Sequence, residues 1–210
     1  MAFVKNKPFV VFEGIDGSGK TSLARQLYNR LNEFGIPSIM LSEPTDSVIG
    51  KQIREILAGE KKVDPKTMAL LFAADRMEHV VGPNGICHHL TSGLAVIGDR
   101  YYLSSYAYQM KDMPLEWVMQ INSQAKDIVK PDYHIFIDAS PEVCLERIYK
   151  TRQTTSDIYE NIETLTAARE NFLKVIEATK GEENVIVIDG NGPIPLVFKR
   201  VFDQIKPLFF

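Results

Sequence analysis

Cysteine is scarce in this chain: Cys87 and Cys144 are the only two among 210 residues. They have neither metal-ligand spacing nor the number for a disulfide framework, so a reducing, cytoplasmic setting is expected. An excess of basic charge is also missing. Lys and Arg number 24 against 27 Asp and Glu, a net charge of −3, which argues against a nucleic-acid-binding face as the main business. No apolar stretch approaches the roughly 20 residues that span a membrane. The run at 9–12 is too short for a cleavable leader and reads as a first strand. The four histidines (His79, His88, His89 and His134) form no nucleophile or metal constellation, and His88-His89 reads as a helix surface. Trp117 and Cys144 read as core. No internal repeat, low-complexity tract or interdomain linker interrupts the chain. A soluble single domain over residues 1–210, with no membrane or nucleic-acid partner, is the expectation.

What is present is concentrated near the amino end. Residues 14–21 read Gly14-Ile15-Asp16-Gly17-Ser18-Gly19-Lys20-Thr21, directly after the apolar run Phe9-Val10-Val11-Phe12. This is the phosphate-binding pattern G-x-x-x-x-G-K-[ST] in the strand-to-helix context that its chemistry needs. The glycines let backbone N–H groups wrap a phosphate, and the helix that follows adds positive potential. Lys20 places a cation on the β- and γ-phosphates of a nucleoside triphosphate such as ATP, and the Thr21 hydroxyl can ligate Mg²⁺. Asp16 is acidic beside bound phosphates, so it must serve something else, a sugar hydroxyl or the metal shell; as a plain turn residue it would also be unremarkable.

Apolar runs at 9–13, 38–41, 94–98, 134–138 and 185–188 are mostly continuous, as buried strands of a parallel sheet are. Helical periods fill the intervals at 21–34, 47–58, 65–80, about 102–110, 114–127, 141–152, 162–180 and 194–206. The alternation predicts a three-layer α/β/α architecture on a five-stranded parallel sheet, the P-loop NTPase fold, with ligands at the carboxyl ends of the strands. The segment from about 43 to 93 is too long for a simple crossover and predicts an inserted helical substrate-binding region.

Three further patches carry chemistry. The strand at 94–98 runs into Asp99-Arg100-Tyr101. A carboxylate at the end of a neighbouring strand is where a phosphate-loop enzyme directs its metal, directly or through water, and Arg100 can clamp a transferring phosphoryl group. Away from such a loop the same pair would read as ordinary surface. Phe72 and Arg76 are four apart and share one helix face, a ring and a guanidinium suited to a nucleobase, although a core Phe beside a solvated Arg is the commoner meaning of that spacing. Around 147–161 a basic helix end (Arg147, Lys150, Arg152) gives way to a polar, small-residue stretch, the pattern of a lid closing over phosphates; a helix end complementing its own dipole is the plainer alternative.

With these pieces in this order, the chain resembles the thymidylate kinase (dTMP kinase) family of P-loop nucleoside monophosphate kinases over most of its length. The segment Phe12-Glu13-Gly14-Ile15-Asp16-Gly17-Ser18-Gly19-Lys20-Thr21 is similar to the family's opening. Glu43-Pro44, Ile49-Gly50-x-x-Ile53-Arg54, Asp75-Arg76 with Phe72, Asp99-Arg100-Tyr101 with Ser104-Ser105 and Tyr108-Gln109, and Tyr159-Glu160 follow it in turn. The resemblance implies ATP- and Mg²⁺-dependent phosphoryl transfer to dTMP, giving dTDP and ADP for dTTP biosynthesis, by a homodimer. It implies catalytic roles for Lys20, Arg100, Asp16 and Arg152, and substrate contacts from Glu43, Arg54, Phe72, Arg76, Arg100, Ser105, Tyr108 and Gln109. In the family, Tyr108's position packs against the sugar and disfavours a 2′-hydroxyl, Ser105's lies near the base, and Asp16's near the sugar and the transferred phosphate. There are departures: Ser42 stands where an arginine is frequent, Thr45-Asp46 where Gly-Gly is frequent, and the lid has Arg152-Gln153 and Asp157-Ile158 instead of Arg-Gly and Asp-Arg. No basic residue fills the loop's variable positions, so Arg147, Lys150 or Arg152 must supply any lid charge. The residues themselves leave two alternatives open, a kinase for another nucleotide or nucleoside and a nucleotide-gated binding module. The Phe72, Arg76 and Tyr108 set, implying a second small-ligand pocket, speaks against the module.

Overall fold

In the first strand, β1 (Phe9–Glu13), every residue is buried, and successive side chains enter different cores. Phe9 and Val11 join one apolar cluster, Val10 and Phe12 the other. A run that is apolar at every position thus fills both faces of a central parallel strand. The computed structural model describes residues 7–151 and 161–210. Five strands form one parallel sheet in the order β2-β3-β1-β4-β5, with β2 at Ser38–Ser42, β3 at Ala95–Asp99, β4 at Tyr133–Asp138 and β5 at Val185–Asp189. Central strands β1 and β3 are buried throughout, whereas edge strands β2 and β5 are partly exposed.

Helices cover both faces. On one lie α1 (Lys20–Glu33) and α9 (Ile194–Ile205), whose Leu23, Leu27, Leu31 and Val197, Val201, Ile205 pack against Val10, Phe12, Ile97 and Ile135. The other face carries α5 (Tyr102–Gln109), α6 (Leu115–Ile128), α7 (Pro141–Thr151) and α8 (Ile162–Ala178), reaching Phe9, Val11, Val96 and Phe136. Between β2 and β3 stand α2 (Val48–Leu57), α3 (Pro65–Val81) and α4 (Ile86–Thr91). The first two share a small core of Ile53, Ile56 and Met68, on which Phe72 packs. Their starts are specified locally. Ser47 caps α2 by accepting from the Gly50 amide at 3.0 Å, and Asp64 caps α3 ahead of Pro65. Helix α4, six residues between glycines 85 and 93, is too short to show a period, so the sequence reading gives it no range, although it puts His88-His89 on a helix surface. The reading also ends the third strand one residue early, so Asp99 is its last residue and does not follow it.

Candidate active site

Strands β1 and β3 run side by side with Phe12 opposite Asp99, so the turns that follow them are neighbours. The first is the glycine-rich loop. Gly17 has φ 79° and Gly19 φ 96°, backbone conformations that L side chains avoid. A Cβ on Gly17 would run into the Cys144 carbonyl of α7, and one on Gly19 would meet Ile194 of α9. The loop is therefore shaped by two helices beneath it. No side chain caps the first turn of α1, whose amides are left for a ligand, as at anion-binding helix ends. Lys20 is 5% exposed, with Nζ 3.4 Å from the Ile15 carbonyl and 3.2 Å from Asp16 Oδ1.

The second turn presents Asp99 and Arg100. Thr21 Oγ1 donates to Asp99 Oδ2 at 2.5 Å, while Asp99 Oδ1 is buried and has no hydrogen-bond partner among the described residues. A hydroxyl and an unspent carboxylate oxygen are hard donors of the kind Mg²⁺ takes alongside phosphate and water. Among the described residues no group of three or more His, Cys, Asp or Glu gathers to hold a metal, here or elsewhere. Arg100 has φ 72°, unusual for a side chain this large. Its Nη2 lies 2.5 Å from Asp16 Oδ1, its Nη1 donates to Ser104 Oγ at 3.2 Å, and its guanidinium sits 5.2 Å from the Tyr108 ring centre. Burial alone would raise the Asp16 carboxyl, but Arg100 and Lys20 outweigh it and hold the group well below the usual carboxylate range. Asp16 is thus an ionised bridge between two cations, a role the residue pattern did not disclose.

Beside this bridge opens a cavity of about 220 Å³, bounded by Phe72, Arg76, Arg54 and Glu43 on the inserted side. Arg100, Ser105, Tyr108 and Gln109 bound it from the 100–109 turn and helix. The structure therefore brings all eight residues marked for substrate into one place. Ser105 Oγ and Gln109 Oε1 are buried there without hydrogen-bond partners among the described residues, and such groups are rarely left unmet. Tyr108 donates to Asp16 Oδ2 at 3.4 Å; burial first, and the charge of Asp16 second, push its hydroxyl upward and keep it neutral.

Behind the cavity wall lies a buried network with no counterpart in the sequence reading. Arg76, 1% exposed, donates from Nε (3.0 Å) and Nη2 (2.7 Å) to Glu43 Oε2 and from Nη1 to Asn122 of α6. Glu43 Oε1 faces His79 Nδ1 at 2.9 Å. Glu43 is engaged on both oxygens and orients Arg76, so its carboxylate is not a free substrate ligand, and Arg76 is a buried residue, not a solvated one. Arg54 is also tied down, donating to the carbonyls of Pro44 and Thr45 and to Asp46. Asp75 accepts from Thr45 and Ser47, fixing the 45–47 turn against α3. Only the long reach of these contacts hid them, since none has a local signature.

The expected lid cations part ways. Arg147 donates to the Ser18 carbonyl at 3.0 Å and to those of Gly190 and Gly192 at 3.0 and 2.7 Å, bracing the glycine loop against the β5–α9 connection. Lys150 pairs with Glu146 on the surface. Arg152, with Asp157, Tyr159 and Glu160 and most of the 147–161 stretch, lies outside the described residues. Trp117 is half-buried, at the margin of the core, and Cys144 is fully buried.

Known proteins are similar in sequence to this chain along most of its length. The family model described as thymidylate kinase matches residues 12–201. A probable thymidylate kinase of Pyrococcus horikoshii is 41% identical over 175 residues, 80% of this chain and 82% of its own. One from Methanococcus maripaludis is 38% identical over 203 residues, 94% of each chain, and a thymidylate kinase of Lactobacillus acidophilus 36% identical over 205, covering 94% and 93%. A family match over residues 12–201, with relatives 36–41% identical over 80–94% of the chain, is more than a borrowed motif: the chain belongs to the thymidylate kinase family.

Proposed function

We propose that this chain transfers the γ-phosphoryl group of ATP to the 5′-phosphate of thymidine monophosphate, giving ADP and dTDP. The observation that carries the reading is the second pocket: a base-sized cavity opening beside the Asp16–Arg100 bridge and walled by Phe72, Arg76, Ser105 and Gln109. Its polar groups match the edge of thymine. Gln109 Oε1 is an acceptor for a ring N–H, and Arg76 and Ser105 are donors for ring carbonyls. Phe72 supplies a face for stacking, and Tyr108 a wall where a ribose 2′-hydroxyl would sit. Residues 14–21 would take the triphosphate, with the region of residues 43–93 serving as acceptor-binding insertion and 147–161 as lid of one kinase domain.

The acceptor is already a phosphate oxyanion, so no strong base is required; repulsion between anions has to be neutralised and the two reactants aligned. Lys20 and Arg100 provide the cations, and Asp16 keeps both in place before substrate arrives. Mg²⁺, when bound, would be held by Thr21 and Asp99 and would neutralise charge on the β- and γ-phosphates. The two unpaired cysteines suit a cytoplasmic location, and no described helix is long and apolar enough to cross a membrane.

An acceptor panel with MgATP tests the reading. Phosphorylation of dTMP should exceed that of dCMP and dGMP by about 100-fold or more in kcat/KM, since the wrong base leaves buried polar groups unpaired. Equal rates on all three would refute it. Replacing Phe72 by Ala should raise the KM for dTMP by about 10- to 100-fold, the usual worth of a base stacked on a ring, and leave that for ATP nearly unchanged. An equal rise for both substrates would remove Phe72 from the acceptor site.

The family resemblance supports a homodimer, and α3 offers a surface for it. Leu70 (50% exposed), Ala74 and Val81 (53% exposed) form an exposed apolar stripe at helical spacing, bordered by half-buried Met77, which packs against the core. Sedimentation equilibrium should give twice the chain mass, and Leu70→Glu should shift it towards the single chain. A monomeric parent protein would dismiss the stripe as an interface.

A further inference from the structure

We propose that Glu13 is a positioning residue for phosphoryl transfer, holding the turn that carries Arg100 in its left-handed backbone conformation. The inference rests on the reading of Arg100 as the phosphate clamp. Glu13 is the last residue of β1, fully buried, one position ahead of the glycine loop. Its Oε1 accepts from the Tyr101 amide at 3.0 Å, and its Oε2 from Ser104 Oγ at 2.5 Å. That same Ser104 Oγ accepts from Arg100 Nη1 at 3.2 Å. The carboxylate therefore grips the residue after Arg100 and the hydroxyl one helical turn on. Together with the Arg100 amide, which donates to the Phe12 carbonyl at 2.9 Å, these bonds leave the φ 72° conformation little freedom to relax.

A buried carboxylate needs an opposite charge, and His134 of β4 faces it, with Nδ1 3.8 Å from Glu13 Oε1. Beyond His134 lie Tyr102 and Glu183: Nε2 is 3.2 Å from the Tyr102 hydroxyl, which donates to Glu183 Oε2 at 2.8 Å. Burial alone would lower His134, but Glu13 and Glu183 outweigh it and leave the imidazole raised. Lys126 and Lys130 of α6 and its end complete the cluster against Glu183. Neither the phosphates nor the acceptor would reach this layer, so its effect on chemistry passes through Arg100.

A double-mutant cycle tests this, run on whichever monophosphate the acceptor panel finds to turn over. Glu13→Gln should lower kcat by about 30-fold, the scale of a misplaced catalytic group, with both KM values within about threefold of the parent. In an Arg100→Ala background the same change should cost less than about threefold, because the two act as a unit. A full 30-fold loss in both backgrounds, or none in the parent, would overturn the proposal. Should no acceptor turn over, the kinase reading fails by itself, and hydrogen exchange decides the positioning role separately. The segment 100–106 should then exchange about tenfold faster in Glu13→Gln while the strands stay protected, and unchanged exchange would overturn it. If Glu13→Gln does not fold, Ser104→Ala, which removes the shared hydroxyl, takes its place; the same losses would support the proposal and the same failures overturn it.

Discussion

Lys20→Ala is expected to lower kcat by at least about 1,000-fold, equivalent to roughly 4 kcal/mol of transition-state stabilisation, and to leave the chain folded. The magnitude follows from the setting. The ammonium is nearly buried, and Asp16 at 3.2 Å and the Ile15 carbonyl at 3.4 Å hold it at the mouth of the glycine loop. A preorganised cation in a poorly hydrated site stabilises developing charge far more than one in water. The methyl of alanine gives the phosphates nothing and leaves Asp16 balanced by Arg100 alone, so an anion now faces the incoming anion with one fewer counter-charge. Arginine should not rescue the loss, because its planar fork needs more room than the point-like ammonium. Steady-state rates on dTMP, read beside thermal unfolding of the same preparation, settle the matter. A variant turning over near the parent rate would take the loop's cation out of the mechanism.

Much of this site is legible in the order of residues alone, and the legible parts share one property: what they require lies close together in the chain. The glycine loop is legible because its pattern, positive φ and cation included, lies within eight neighbouring residues, although the helices that press on Gly17 and Gly19 come from far along the chain. Strands β1 and β3 are legible because a continuous apolar run serves two cores at once. Phe72 and Arg76 are legible as a pair because a helix turns four residues into one face. What stays hidden is partnership across long stretches of chain. Nothing local marks Glu43 as the anchor of Arg76, 33 residues on, or Asn122 as its second support, 46 residues on. Arg147 illustrates the opposite error. Its place on a basic helix end points to a lid cation, yet the fold turns it onto backbone carbonyls of the loop and of Gly190 and Gly192. Residue type announces capacity, and topology alone decides which group it meets.

Replacing Arg100 should be nearly as damaging as replacing Lys20, and two different replacements separate its chemistry from its backbone. Both Arg100→Ala and Arg100→Gly are expected to lower kcat by two to three orders of magnitude, roughly the loss seen when a charge-clamping donor is removed. Each deletes the guanidinium that Asp16 holds at 2.5 Å and Tyr108 backs at 5.2 Å. Their stabilities should differ. At φ 72° an alanine keeps the strain of a side chain in the left-handed region without the ion pair that offsets it. Glycine relaxes the strain, so Arg100→Gly should be the more stable of the two by about 1 kcal/mol in chemical denaturation. Lysine keeps the charge but lacks the fork that spans Asp16 and Ser104 together, and should recover little of the rate. If the glycine variant proved as active as the parent, the clamp would lie elsewhere; if it were less stable than the alanine variant, the turn would not be strained in the sense the backbone geometry implies.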